Sequence, residues 1–244
     1  MNSGFYAACA GLQAQTQALE TVANNVANIN TTGYRAQQPL FRSLLAVSGP
    51  ETADPLNHAI NDFNVLGGSE TDLSGGTLER TGNALDLGIE GGGFFAVQTR
   101  RGILYTRNGN FQVSASGQLT TQAGDPVLGG QGPVLLPSGP VSISADGTIS
   151  SNGAVAGKLR LVEFAPGQTP EAVGQSYYAA PDRAVQPAVA SYVRQGMVES
   201  SNVNPVAAVV EMIAIQRRAE MLERAMSVFQ SDFNHIAASD LPKV

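Results

Sequence analysis

The chain has 244 residues, enough for one large domain or two smaller ones with a substantial core. Fourteen basic and twenty acidic residues give a net charge of −6, which argues against electrostatic binding to nucleic acid or to an anionic membrane. One cysteine excludes an internal disulfide and a cysteine-based zinc site, and no apolar run reaches the roughly 20 residues of a membrane span.

A helix is predicted at the N-terminus, where small and apolar residues recur at steps of three and four. This 3.5-residue period places them along one side of a helix, as in a coiled coil, and Gly33 is a natural end point. Glu20 is the only charged residue between Met1 and Arg35, so the remaining helix surface is neutral enough to be covered by protein. The predicted N-terminal seam contains Phe5, Cys9, Leu12, Thr16, Leu19, Ala23 and Val26.

The middle of the chain changes character twice. Residues 36–76 are rich in proline and glycine and are predicted to form an extended connector, with a short helix near 40–45. Residues 77–202 alternate short β-type runs with turn residues, and hairpins are predicted at Arg101-Gly102 and Asp146-Gly147. The pattern is typical of an antiparallel β domain.

A second long helix is predicted at the C-terminus, beginning at Pro205 after the capping residue Asn204. Its apolar residues also step by four and three, through four heptads without a break. The predicted C-terminal seam contains Ala208, Met212, Ile215, Ala219, Leu222, Met226, Phe229, Phe233 and Ile236.

The order helix, β region, helix predicts an α+β fold in which the two ends of the chain return to each other. The terminal helices, 1–35 and 203–244, are expected to pair as a coiled-coil-like domain, joined through the connector to the central all-β antiparallel domain. Burial of the sixteen seam residues of both helices does not offset the backbone entropy of ordering two long helices. The helices therefore need further partners, either the β domain or other subunits.

The sequence offers no catalytic or metal-binding pattern. It lacks a nucleophile elbow, a phosphate-binding loop and an H-E-x-x-H zinc motif. His58 lies in the connector without an acidic or serine partner nearby in sequence, His235 lies near the end of the last helix, and Cys9 falls in the N-terminal seam. We predict no enzymatic activity, no cofactor, no metal and no small-molecule substrate.

Short motifs near both ends carry a family resemblance. Residues 23–28 read A-N-N-V-A-N and residues 32–35 read T-G-Y-R, while 196–204 read G-M-V-E-S-S-N-V-N and 212–217 read M-I-A-I-Q-R. With the strand motifs between them, these resemble the rod and hook axial proteins of the bacterial flagellum, although the spacing in 196–204 is one residue tighter than usual. The motif residues singled out by the resemblance are Asn24, Asn25, Asn28, Gly33, Asn202, Val203, Gln216 and Arg217.

The resemblance is strongest to the proximal-rod subunits of that family, with the distal-rod subunits as the alternative. It implies a structural subunit that polymerises through its terminal helices with copies of itself and with other proximal and distal rod subunits. It further implies export by the flagellar type III apparatus without a cleavable signal peptide, and a place in the basal-body rod within the periplasm. The residues also leave open a different class, a secreted surface binding module with a β domain on a helical stalk.

Overall fold

The computed structural model describes residues 2–42, 65–137, 139–174 and 176–240. The chain divides into a helical unit, made of residues 1–26, 37–70 and 205–244, and a β unit, made of residues 27–36 and 71–204. Residues 27–36 thus group with the β strands and residues 37–70 with the helices. The α+β fold class, with terminal helices that pair and a central antiparallel β region, is confirmed.

The helical unit contains the two long helices, α1 (Asn2–Ala27) and α2 (Pro205–Asp240). Helix α2 begins with proline, which needs no hydrogen-bond acceptor at the first helical position. Two strands, β1 (Gln37–Arg42) and β2 (Val65–Thr71), pair with each other. The predicted short helix near 40–45 is therefore wrong for residues 40–42, which belong to β1, while residues 43–45 lie outside the described residues.

The side chain of Asn25 on α1 explains why β1 starts where it does. Its Oδ1 accepts the Gln37 backbone N–H at 2.9 Å, and its Nδ2 donates to the Gln37 carbonyl oxygen at 2.7 Å. One buried amide thus satisfies both backbone groups of the first strand residue, which an extended chain presents in this way and a helical turn does not.

The β unit is built from seventeen short strands in the described part of the chain. They are β3 (Leu78–Arg80), β4 (Leu87–Glu90), β5 (Phe94–Thr99), β6 (Gly102–Thr106), β7 (Phe111–Val113), β8 (Leu119–Thr121), β9 (Leu128–Gly129), β10 (Gly132–Pro133), β11 (Val141–Ile143), β12 (Thr148–Ser151), β13 (Ala154–Lys158), β14 (Leu161–Phe164), β15 (Glu171–Gly174), β16 (Tyr177–Ala179), β17 (Val185–Pro187), β18 (Tyr192–Gln195) and β19 (Met197–Glu199). A short 3-10 helix, Asp182–Ala184, precedes β17.

The largest sheet has six strands in the order β15-β16-β6-β5-β14-β17, and every neighbouring pair is antiparallel. Strand β5 is buried on both faces, because Phe95 and Val97 belong to one apolar core while Phe94 and Ala96 belong to a second. The predicted hairpins are confirmed as β5–β6 and as β11–β12, with Gly147 of the second turn at φ +82°.

Candidate assembly surfaces and a buried charge cluster

Helices α1 and α2 contact each other through a small apolar cluster. Ala18 and Val22 of α1 pack with Ile215 of α2, and Leu19 and Met212 are half-buried beside them. Farther along the pair, the Cys9 thiol donates a weak hydrogen bond to Met226 Sδ at 3.9 Å. Leu19, Met212 and Ile215 were predicted as seam residues, as were Cys9 and Met226, and the structure brings these five to the contact between the helices.

The other predicted seam residues differ in how far they are buried. Leu12 and Val26 are half-buried and Ala23 is exposed, while Leu222 is half-buried on α2. The most buried α1 positions lie between the predicted ones, at Ala8, Ala14, Ala18 and Val22. Small side chains therefore occupy the buried face of α1. The side chains of Phe5, Phe229, Phe233 and Ile236 lie outside the described residues. A seam between different chains stays a prediction.

The opposite face of α2 carries a second apolar row, which we call the outward stripe. Its members follow each other at steps of four or three residues, so they line one side of the helix. All of them are exposed, from 46% for Ile213 to 74% for Val206 among the apolar members. The outward stripe consists of Val206, Val210, Ile213, Arg217, Met221, Arg224 and Val228.

A buried charge cluster joins the residues that follow α1 to those that precede α2. Glu199 Oε1 accepts from Arg35 Nη2 at 2.6 Å, and Glu199 Oε2 accepts from Arg107 Nη1 at 3.1 Å. The Gly76 backbone N–H also donates to Oε1 at 2.8 Å. All three charged residues of this cluster, Arg35, Arg107 and Glu199, are at most 1% exposed. Two positive charges thus share one buried carboxylate.

Burial and neighbouring groups set the electrostatics of the cluster. Burial lowers the pKa of Arg107 to about 10, while the Glu199 carboxylate opposes this shift by favouring the charged guanidinium. The Arg107 guanidinium also lies 4.9 Å from the ring centroid of Phe94. Burial raises the pKa of Tyr178 to about 12, so its neutral hydroxyl accepts the Arg35 backbone N–H at 3.1 Å. Arg107 is therefore cationic at neutral pH and depends on Glu199 for compensation.

Two of the predicted motif residues, Gly33 and Asn202, form hydrogen bonds between the segments next to the charge cluster. The Gly33 backbone N–H donates to the Glu199 carbonyl oxygen at 2.7 Å. Asn202 Oδ1 accepts the Ala36 N–H at 2.7 Å, and its Nδ2 donates to the carbonyl oxygens of Asp72 and Ser74 at 3.1 and 3.0 Å. These bonds connect three segments of the β unit that are distant in sequence.

Substitution of Gly33 by alanine is expected to lower the free energy of unfolding of the β unit by on the order of 3 kcal/mol. Gly33 has φ +68°, and an added Cβ would lie 2.3 Å from the Asn108 backbone nitrogen. Gly82→Ala is the matched control, because Gly82 has a similar φ of +77° but nothing within 4 Å of an added Cβ. The control is expected to cost about 1 kcal/mol, the conformational part alone.

Urea denaturation followed by circular dichroism measures both values, since the chain has no tryptophan to report by fluorescence. Equal destabilisation in the two variants would contradict the close backbone approach at Gly33.

The remaining motif residues have separate roles. Asn25 positions β1, as described above, and the Asn28 side-chain oxygen accepts the Thr31 hydroxyl at 3.0 Å in the turn after α1. Val203 is buried just before α2. Asn24, Gln216 and Arg217 are exposed on the helices.

Sequence reasoning did not identify the charge cluster as a site. Arg35 and Glu199 lie in the quoted motifs, but 92 residues separate Glu199 from Arg107 and 164 residues separate it from Arg35. No periodicity connects such positions. The available signal was the presence of charged residues in and beside short motifs, in a chain with only 14% charged residues.

In the described parts of the chain, no group of three or more histidine, cysteine, aspartate or glutamate side chains is placed to hold a metal ion. No helix within the described residues is both long and apolar enough to cross a membrane. His58 and the side chain of His235 lie outside the described residues.

Three family models match successive parts of the chain. The model described as flagella basal body rod protein matches residues 5–35, and the D1 domain of the flagellar hook protein FlgE/F/G matches residues 88–155. The C-terminal model of the flagellar basal body rod FlgEFG protein matches residues 194–232. The matched regions include most of α1 and of α2, and all three residues of the charge cluster, Arg35, Arg107 and Glu199.

Similar proteins of known family cover nearly the whole chain. The flagellar basal-body rod protein FlgF of Mesorhizobium japonicum is 34% identical over 226 residues, which is 90% of each chain. FlgF of Salmonella typhimurium is 35% identical over 91% of each chain. The rod protein FlgG of Buchnera aphidicola subsp. Acyrthosiphon pisum is 30% identical, over 89% of this chain and 92% of its own.

Proposed function

Because the chain belongs to the flagellar basal-body rod protein family and is FlgF-like, we propose that it polymerises through α1 and α2 into the proximal part of the rod. As a member of this family it is a structural subunit. Its neighbours are copies of itself and other proximal and distal rod subunits. It reaches the rod, within the periplasm, through the flagellar type III export apparatus and without a cleavable signal peptide. It has no catalytic role and binds no small-molecule substrate.

The observation that carries this proposal is the outward stripe of α2. Five apolar side chains of the stripe are between 46% and 74% exposed along a helix of 36 residues. An apolar row of this length on a helix surface, interrupted only by Arg217 and Arg224, indicates contact with another protein. Since the other face of α2 already packs on α1, the stripe is available for a neighbouring subunit.

The choice of the proximal rod rests on the relatives. FlgF proteins from five bacteria are 33–35% identical to the chain, whereas the FlgG proteins of three Buchnera aphidicola subspecies are 29–30% identical. The distal-rod alternative is therefore the weaker of the two.

The proposal is tested by deleting the gene from its source bacterium and restoring it with an epitope-tagged copy. We expect the deletion strain to be non-motile and to lack complete rods in electron micrographs of isolated basal bodies. The tagged chain is expected to co-purify with basal bodies and to be labelled by immunogold close to the cell membrane end of the rod.

Two other results would contradict the proposal in different ways. Labelling along the outer part of the rod would favour the distal-rod assignment. Normal motility in the deletion strain, with the tagged chain on the cell surface, would favour a stalked binding module.

A further inference from the structure

The turn between β12 and β13 contains an asparagine followed by a glycine. Asn152 and Gly153 are the two loop residues of this hairpin, and Ser151 pairs with Ala154 on either side of them. Both loop residues have positive φ, +51° for Asn152 and +82° for Gly153, as a type I′ hairpin turn requires. Both are exposed to solvent. The turn therefore presents an Asn-Gly peptide bond at the surface of the β unit.

Asparagine before glycine is chemically labile, because the backbone nitrogen of the glycine can attack the side-chain amide carbon of the asparagine. Glycine permits the attack since it has no Cβ to obstruct the ring that forms. The asparagine side chain must be free to turn toward that nitrogen, and the glycine N–H must not be held in a hydrogen bond. The surrounding structure therefore decides which Asn-Gly pairs react.

These conditions are met at Asn152. Within the described residues, neither its side-chain amide nor the Gly153 N–H forms a hydrogen bond. The amide lies beside Gly139, where an added Cβ would be 3.1 Å from Asn152 Nδ2. Since Gly139 has no side chain, the amide has room to turn.

The one other Asn-Gly pair of the chain, Asn108-Gly109, has the opposite surroundings. Gly109 is buried, and a Cβ added to it would lie 1.7 Å from the Leu87 carbonyl oxygen. Asn108 is half-buried, and its Oδ1 accepts the Asn110 backbone N–H at 3.0 Å. Because the attack requires the side chain to leave this bond and the backbone to rotate, Asn108 reacts only after local opening of the β unit.

We propose that Asn152 is a site of spontaneous deamidation in the folded protein. The Gly153 backbone nitrogen forms a bond to Asn152 Cγ, the Cγ–Nδ2 bond breaks, and Nδ2 leaves as ammonia with the proton that Gly153 loses. Water then opens the cyclic imide at one of its two carbonyl carbons. One opening gives aspartate and the other gives isoaspartate, in which the backbone runs through the former side chain. This inference goes beyond the proposed function and does not depend on it.

The two products differ in their effect on the hairpin. Aspartate before glycine suits the same turn and adds one negative charge to the net charge of −6. Isoaspartate adds a methylene to the backbone of a two-residue loop, so Ser151 and Ala154 no longer pair in register. Strand β13 is an edge of the three-stranded sheet β11-β12-β13. Isoaspartate therefore weakens the pairing of β13 with β12.

Incubation of the purified full chain at mildly alkaline pH, followed by peptide mass spectrometry, tests the proposal, because each deamidation raises the mass of a peptide by about 1 Da. In the folded chain, Asn152 is expected to react at least about tenfold faster than Asn108. In urea, where both peptides are unfolded, the two rates are expected to agree within about twofold. Methyl transfer by a protein isoaspartate methyltransferase distinguishes isoaspartate from aspartate.

Two variants control the assignment. Asn152→Gln has a longer side chain that closes to a larger ring much more slowly, and it is expected to abolish the mass shift in this peptide. Asn152→Asp reproduces the aspartate product and is expected to keep the hydrogen-exchange protection of β13 within about twofold of the unmodified chain. Aged wild-type chain that contains isoaspartate is expected to lose this protection.

Three results would overturn the proposal. The first is a rate at Asn152 in the folded chain that equals or falls below the rate at Asn108. The second is a folded rate at Asn152 more than about tenfold below its rate in urea, which would show that the turn protects the amide. The third is persistence of the mass shift in Asn152→Gln, which would assign the reaction to another residue of the peptide.

Discussion

Glu199→Gln is expected to lower the free energy of unfolding of the β unit by about 3–5 kcal/mol. The substitution keeps the shape of the side chain but removes the one negative charge between Arg35 and Arg107. The glutamine oxygen still accepts from Arg35 and from the Gly76 N–H, but the new NH₂ group faces the Arg107 Nη1 donor. Two buried guanidinium groups then lack compensation, and one donor meets another.

Glu90→Gln is the matched control for this prediction. Glu90 Oε2 forms a salt bridge with Arg194 at 2.6 Å, but both side chains are about half exposed. Removal of an exposed ion pair is expected to cost no more than about 1 kcal/mol. Urea denaturation of the full chain at neutral pH compares the two variants, and similar midpoints would contradict the buried charge cluster.

Ile215→Asp is expected to reduce incorporation of the chain into basal bodies at least tenfold. Ile215 is 3% exposed and packs on Ala18 and Val22, so an aspartate there buries a carboxylate without a partner. The cost, several kcal/mol, exceeds what such a small cluster contributes. We expect the two helices to separate. Helix α2 then no longer packs on α1, and the outward stripe is no longer held in a fixed position.

Hydrogen exchange and a second variant distinguish this effect from general unfolding. In the purified Ile215→Asp chain, amides of α1 and α2 are expected to exchange faster, while those of β5 and β6 keep wild-type protection. Ser227→Asp adds the same charge at an exposed position of α2 and is expected to incorporate normally. Normal incorporation of Ile215→Asp would show that the α1–α2 contact is not required for assembly.

Local patterns in the sequence predicted much of this fold, because helices and hairpins depend on residues that are close along the chain. The heptad spacing identified α1 and α2, and the Asp146-Gly147 turn identified the β11–β12 hairpin. The pairing of β1 with β2 was not predicted, since their ends are separated by 22 residues without periodicity. Strand β1 also depends on a hydrogen bond with Asn25 of α1, and the residues of β1 give no sign of this contact.

The candidate site was predicted only in part for the same reason. Gly33 and Asn202 were identified through motifs, but their roles depend on partners that are distant in sequence. Gly33 lies against the backbone of Asn108, and Asn202 forms hydrogen bonds with Ala36 and Ser74. On α1 the seam was assigned from the 3.5-residue period, whereas the most buried positions are Ala8, Ala14, Ala18 and Val22. The period indicated one side of the helix, but close approach of two helices favours small side chains at the contact itself.

The path of the chain through the helical unit also determines when that unit can form. Cys9 and Met226, which meet between α1 and α2, are 217 residues apart. Closing so long a loop costs only about 0.6 kcal/mol more for each doubling of its length, so the separation affects the rate of folding more than the stability. Because synthesis proceeds from the N-terminus, α1 leaves the ribosome first and α2 last. The β strands can therefore pair before α1 has a partner, and the helical unit can be completed only after α2 has been synthesised.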